Sequence, residues 1–152
     1  MPEIKVIAVS RKAYHKYHII EKLEAGIILT GMEIKAIRSG GISLDESYVR
    51  PFSDGIYLLG AHIKQYTHSG GVQDYDPVRP RKLLLHKREI NLLKGRVEQR
   101  GMTIIPLQLY LKGGRAKLEI ALAKGKDVSD KRAQIKEREV KLEISRRLKS
   151  SL

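Results

Sequence analysis

The sequence contains no cysteine and no tryptophan, and a single phenylalanine. Without cysteine there is neither a disulfide framework nor a thiolate metal site, and the chain suits a reducing cytoplasm. The scarcity of large aromatics argues against the base-stacking sheet of an RNA-recognition motif, whose signature run is also missing. No apolar run reaches the roughly 18 to 20 residues needed to span a bilayer. The opening "MPEIKVIAVSRK" has a short apolar stretch, but no basic leader precedes it and no small-residue cleavage pattern follows it. Nothing there marks the chain for export, so a cytoplasmic location is expected. Catalytic signatures are missing as well. There is no Gly-x4-Gly-Lys-Ser/Thr phosphate loop, no Gly-x-Ser-x-Gly elbow, no His-Glu-x-x-His and no paired aspartates for two metals.

What is abundant is positive charge. Lys and Arg total 30 against 17 Asp and Glu in 152 residues, giving a formal charge of +13 and a pI of about 10.0. Such a balance favours an anionic partner through counterion release and long-range attraction, and nucleic acid is the first candidate. With 41% hydrophobic residues the chain is long enough for one ordinary core. A monomer with a single domain and extensions is expected.

The patterning is mostly β. "YHIIEKLEAGIILTG" reads as two strands bent or bulged at Gly26. "GMEIKAIRSGG" reads as a short helix with Met32, Ile34 and Ile37 on one side, stopping at Gly40 and Gly41. "SYVRPFSDGIYLLGAHI" is a hairpin turning at Ser53 to Gly55. Gly70, Gly71, Pro77 and Pro80 assign "KQYTHSGGVQDYDPVRPR" to a long loop, a kind that is often functional. "LHKREINLLKGRVEQRG" carries Leu85, Ile90, Leu93 and Val97 at helical steps. A second hairpin turns at Gly113 and Gly114; Leu107, Leu109 and Leu111 alternate on one arm, and Ala116, Leu118, Ile120 and Leu122 on the other. Short strands with one inserted helix suit a small antiparallel barrel of the oligonucleotide-binding type.

From Lys124 the composition changes. The last 29 residues hold ten Lys and Arg against five Asp and Glu. Ala133, Val140, Ile144 and Leu148 share one helical face, but Ile135 and Leu142 lie nearly opposite, so no wide apolar stripe exists to dock on a core. The expected division is therefore an RNA-binding domain over 1–123 and a basic tail over 124–152, disordered when free and helical on a partner.

Residues capable of chemistry or recognition each have a plainer reading. His15 and His18 have spacing for a metal only on a helix, and Lys12 and Lys16 beside them oppose a cation. Ser43, Asp45 and His62 contain the atoms of a triad in no known elbow. No metal, no cofactor and no catalysis are expected. Tyr14, Tyr17, Tyr66 and Tyr75, interleaved with basic residues, suit base stacking or barrel-edge packing equally. Arg79 to Arg100 holds eight Lys and Arg against Glu89 and Glu98, more than solubility requires. Within it, three consecutive leucines sit between basic clusters in "DPVRPRKLLLHKRE". Either they are a buried segment with wet flanks, or they hold Arg79, Arg81, Lys82, His86, Lys87 and Arg88 rigidly as a contact surface.

Several runs together resemble one family, the bacterial SsrA-binding proteins, also called small protein B. They are "EAGIILTGMEIKAIRSG", "SYVR", "DPVRPRKLLLHKREI", "GRVEQRGMTIIPLQLYLK", "AKGK" and "DKRAQIKERE", spanning Arg11 to Arg138. The resemblance implies an oligonucleotide-binding-type barrel with added helices that binds the tRNA-like part of transfer-messenger RNA. It also implies delivery to the decoding region of the small subunit of stalled ribosomes, for trans-translation. Glu24, Lys82, Leu84, His86 and Lys117 fall where the family contacts RNA, and Lys131, Arg132, Lys136 and Arg138 where its tail meets the ribosome. On this reading Leu83 and Leu85 are buried while Leu84 faces the RNA, because strand side chains alternate. Glu24 repels phosphate and would accept from base or sugar donors, or anchor a nearby Arg or Lys. Ser10, Lys16, Ala36, Asp74, Ser129 and Val140 depart from residues common in the family. The rival readings are a structural ribosomal or tRNA-binding barrel and an RNA-modifying enzyme.

Overall fold

Residues 3–66 and 75–125 are described by a computed structural model. The elements in chain order are β1 (Ile4–Val9), α1 (Ala13–Lys16), β2 (Tyr17–Ile27), α2 (Gly31–Arg38), β3 (Ile42–Ser43) and β4 (Tyr48–Phe52). They continue with β5 (Gly55–Leu59), β6 (His62–Ile63), β7 (Arg81–Leu84), α3 (Lys87–Val97), β8 (Met102–Lys112) and β9 (Arg115–Gly125). Every strand pairing is antiparallel. A ring runs β8, β4, β5, β7, β2, β9 and back to β8, with β1 added outside it on β8. One bridge, Val49 to Ile104, joins β4 to β8, so the expected barrel is present as an irregular ring. Among the described residues no helix is long and apolar enough to cross a membrane.

Alternation fills the ring. Val49, Ile56, Leu58, Ile104, Leu109, Leu118 and Ile120 are fully buried inside it. The expected alternation of Leu107 with Leu109 and Leu111 is interrupted. A bulge between Pro106 and Gln108 opposes two residues of β8 to one of β9, which reverses the faces beyond it. Leu107 therefore packs outside the ring with Ala13, Ile105, Ala121 and Ala123, beneath α1. A second correction concerns Tyr17 to Gly31. Gly26 does not divide two strands: β2 runs unbroken to Ile27, and Gly26 pairs with Lys117 on one side and Leu84 on the other. The irregularity lies earlier, between Ile19 and Glu21.

Helix α2 begins and ends as its sequence dictates. The Thr30 side chain accepts from the Glu33 N–H, and the Glu33 carboxylate accepts from the Thr30 N–H at 3.0 Å, which satisfies two free donors at the start of the helix. Beyond Arg38, Gly40 takes φ 78°, a conformation that glycine adopts without penalty. The buried face is Glu33, Ala36 and Ile37 rather than Met32, Ile34 and Ile37.

A buried carboxylate demands partners, and the long loop supplies them. Arg81 donates to Glu33 Oε2 from Nε at 3.0 Å and from Nη2 at 2.6 Å, and both side chains are fully buried. Arg79 pairs with the same carboxylate, donating from Nε at 3.1 Å. The Tyr75 hydroxyl donates to the Ile63 carbonyl at 2.7 Å and meets the same network. Burial alone would raise the Glu33 carboxyl, but the bonds from Arg79, Thr30 and Arg81 outweigh it and hold it at about 2. These contacts fix the end of the loop and the start of β7.

Along β7 the alternation is clear: Leu83 is 2% exposed and Leu84 is 55% exposed. Leu85, past the end of the strand, is partly buried against the core rather than fully enclosed. Leu83→Ala is expected to cost about 2 to 5 kcal/mol, the usual loss for a leucine deleted from a packed core. Thermal unfolding checks this. A midpoint shifted no further than that of Leu84→Ala would contradict the assignment.

Candidate nucleic-acid interface

The five expected RNA contacts lie at or beside one outward face. Ala25 and Ile27 of β2 point into the ring, so Glu24 and Gly26 point out. The register sets Lys117 of β9 and Leu84 of β7 on either side of Gly26. Gly26 is needed there for space: a Cβ on it would come within 3.1 Å of the Leu84 Cβ. Glycine thus lets Leu84 lie over β2 as an exposed apolar contact. Lys82, two residues earlier on the same face of β7, is partly exposed.

His86 stands at the junction between β7 and α3. It is exposed, and its backbone N–H donates to the Glu89 carboxylate at 3.0 Å, which ties the N-terminus of α3 to the end of the strand. The helix spans Lys87–Val97, shorter than the pattern from Leu85 to Gly101 suggested, with Leu93 its fully buried contact.

Glu24 is held rather than loose. The Tyr110 hydroxyl donates to Oε2, and Lys112 Nζ stands 3.5 Å from both carboxylate oxygens. The Tyr110 bond, with Lys112 and Lys117 nearby, lowers the Glu24 carboxyl from its ordinary value against the opposing effect of burial. A fixed, ionised acceptor remains 39% exposed beside the Leu84 surface. Tyr110 and Lys112 escaped the sequence reading. Their signal was only that both alternate outward on β8, as strand residues opposite Lys117 and Arg115.

Other candidates are redistributed. Arg79 and Arg81 belong to the Glu33 network, so they are not both free to serve as surface charge. Tyr75 is part of the same latch. Tyr17 packs on the cluster beneath α1, and Tyr66 packs on the main core with Lys35 over its ring. Tyr14 remains 46% exposed, with Lys22 Nζ 5.5 Å from its ring centre. His15 lies in α1 and His18 in β2, not on one helical face. Ser43 and His62 are cross-strand partners, but Ser43 Oγ accepts from the Asp45 N–H. Among the described residues no three metal-ligating side chains gather. Lys131, Arg132, Lys136 and Arg138 lie outside the described residues, as do Asp74, Ser129 and Val140.

A family model described as SmpB protein matches residues 7–150. The chain belongs to the SmpB family. The SsrA-binding protein of Chloroflexus aggregans is 51% identical over 146 residues, covering 96% of this chain and 92% of that protein. That of Persephonella marina is 49% identical over 149 residues, covering 98% and 97%. A chain in the solved structure "tmRNA-SmpB: a journey to the center of the bacterial ribosome" is 42% identical with a TM-score of 0.66, over 81% of this chain and 86% of that one. Family membership agrees with the resemblance carried by the "RKLLLH" and "DKR" runs.

Proposed function

We propose that this chain binds the tRNA-like part of transfer-messenger RNA and delivers it to stalled ribosomes for trans-translation. It acts in the cytoplasm by binding, not by catalysis. The observation that carries the RNA site is the register that sets Leu84 and Lys117 on either side of Gly26, with Glu24 held two residues away on the same face. Lys82 and Lys117 supply phosphate contacts, which position the RNA without reading it. Leu84 offers an apolar surface to an exposed base or sugar, His86 a hydrogen bond, and Glu24 an acceptor for a base amino group or a ribose hydroxyl. SmpB membership and the ribosome complex of a 42% identical relative support the partners. In this reading the domain over 1–123 recognises the RNA, and Lys131, Arg132, Lys136 and Arg138 of the 124–152 tail engage the decoding region.

Leu84→Ala and His86→Ala are each expected to weaken binding of the tRNA-like RNA by about 1 to 3 kcal/mol, the scale of a lost base contact or charged hydrogen bond. Titration at rising salt measures it. The wild-type protein keeps a preference for this RNA at high salt, because part of the affinity is not counterion release. Wild-type affinity in both folded variants refutes the placement.

A further inference from the structure

We infer that a cleft between the β4–β5 hairpin and α3 holds one single-stranded nucleotide of the bound RNA, its phosphate on Arg50 and Lys94. This rests on the chain being the RNA-binding protein proposed above. The outward strip does not stop at Leu84. Two residues back on β7, Lys82 pairs with Tyr57 of β5, and Tyr57 pairs with Arg50 of β4. The strip thus leads to an open cleft of about 450 Å³ lined by Arg50, Phe52, Lys94, Val97 and Glu98, among others.

Arg50 makes no ion pair with a carboxylate among the described residues. Burial lowers its guanidinium from the ordinary value, against a smaller opposing effect of Tyr48. A half-buried cation without a protein anion is suited to an external one, and guanidinium matches phosphate in shape. The nearby carboxylates are accounted for differently. Asp54 at the hairpin tip accepts from the Tyr57 hydroxyl at 2.6 Å and stays ionised with Lys82 and Lys94 nearby, which leaves Arg50 as the cleft cation without a carboxylate partner among the described residues. Glu98 caps the C-terminal end of α3, where carbonyls add further negative character. A bare anion meets repulsion on that wall. A nucleotide does not, because its ribose hydroxyl and base amino groups donate to Glu98 while its phosphate faces Arg50 and Lys94. Phe52, set edge-on to Tyr57 with ring centres 5.3 Å apart, and Val97 give the base an apolar wall.

The test uses full-length protein, the tRNA-like RNA and an unrelated hairpin RNA of the same length. Arg50→Gln and Lys94→Gln are each expected to raise the Kd for the tRNA-like RNA about tenfold, as for a lost charged hydrogen bond. Each is expected to reduce the salt slope by about 0.7 to 0.9. Arg38→Gln, at an exposed residue of α2 that does not line the cleft, is the control for general charge loss. Because the chain has no cysteine, Ser53→Cys on the cleft wall accepts a short-range photo-crosslinker uniquely, and a crosslink to one stretch of RNA is expected. Arg50→Gln matching Arg38→Gln, together with no localised crosslink, overturns the inference while the RNA preference of the wild type stands. Loss of that preference overturns the function instead, and the crosslink on either RNA still decides the cleft.

Discussion

Glu33→Gln is expected to destabilise the fold by about 3 to 5 kcal/mol, the range for breaking a buried ion pair by removing one partner. The amide keeps the size of the side chain but removes the charge that Arg81 needs. Arg81 is fully buried, 2.6 Å from Glu33 Oε2, and its other contacts are the Ala61 and Pro77 carbonyls and the Tyr75 hydroxyl. Those dipoles do not neutralise a guanidinium. Urea unfolding of the variant measures the loss, and an unchanged midpoint contradicts it. The pH dependence has a defined sign. The folded-state carboxyl lies at about 2, below its ordinary 4.5, so its contribution is complete above about pH 4.5 and is lost as pH falls towards 2. Glu33→Gln is therefore expected to flatten the acid limb of the stability profile. Because the same network sets where β7 starts, the variant also loosens the strand that carries Lys82 and Leu84.

Ending the chain after Val128 is expected to abolish peptide transfer on stalled ribosomes while leaving the fold and the affinity for the tRNA-like RNA nearly unchanged. The described core closes by Gly125, and the five residues proposed to contact RNA precede that point. The tail has no wide apolar stripe to contribute to packing, so its removal costs the domain little. What it removes is Lys131, Arg132, Lys136 and Arg138, cations suited to an empty messenger path lined by phosphate. Replacing only Lys131 and Arg132 with Ala is expected to reproduce much of the defect and weaken salt-dependent ribosome engagement. A reconstituted stalled-ribosome assay reads both variants. Full transfer by the truncated protein returns the tail to a solvated charge run.

The parts of this architecture that were legible in the sequence rest on local rules. The turn at Ser53 to Gly55, the turn at Gly113 and Gly114, the stop of α2 at Gly40 and the outward side of Leu84 follow from turn chemistry and two-residue alternation. What escaped depends on contacts distant in sequence. Glu33 and Arg81 read as ordinary surface charges until a separation of 48 residues is closed by folding. Tyr110 anchors Glu24 across 86 residues. The bulge at Leu107 reversed an alternation that looked regular, because one extra residue leaves no mark in an apolar run. Strand β1 was unread as well: as an added strand it keeps Ile4, Val6 and Val9 exposed, so its pattern lacks a clean buried side. The residues proposed to contact RNA rest on family resemblance, since Glu24 alone reads as a plain surface residue.

The most direct test is to recover the full-length protein from cells and sequence the RNA bound to it, beside Leu84→Ala combined with His86→Ala. Transfer-messenger RNA is predicted to dominate the wild-type sample and to fall sharply with the double variant, whose fold is intact. Ribosomal RNA or tRNA without such enrichment, or equal enrichment in both samples, would contradict the account.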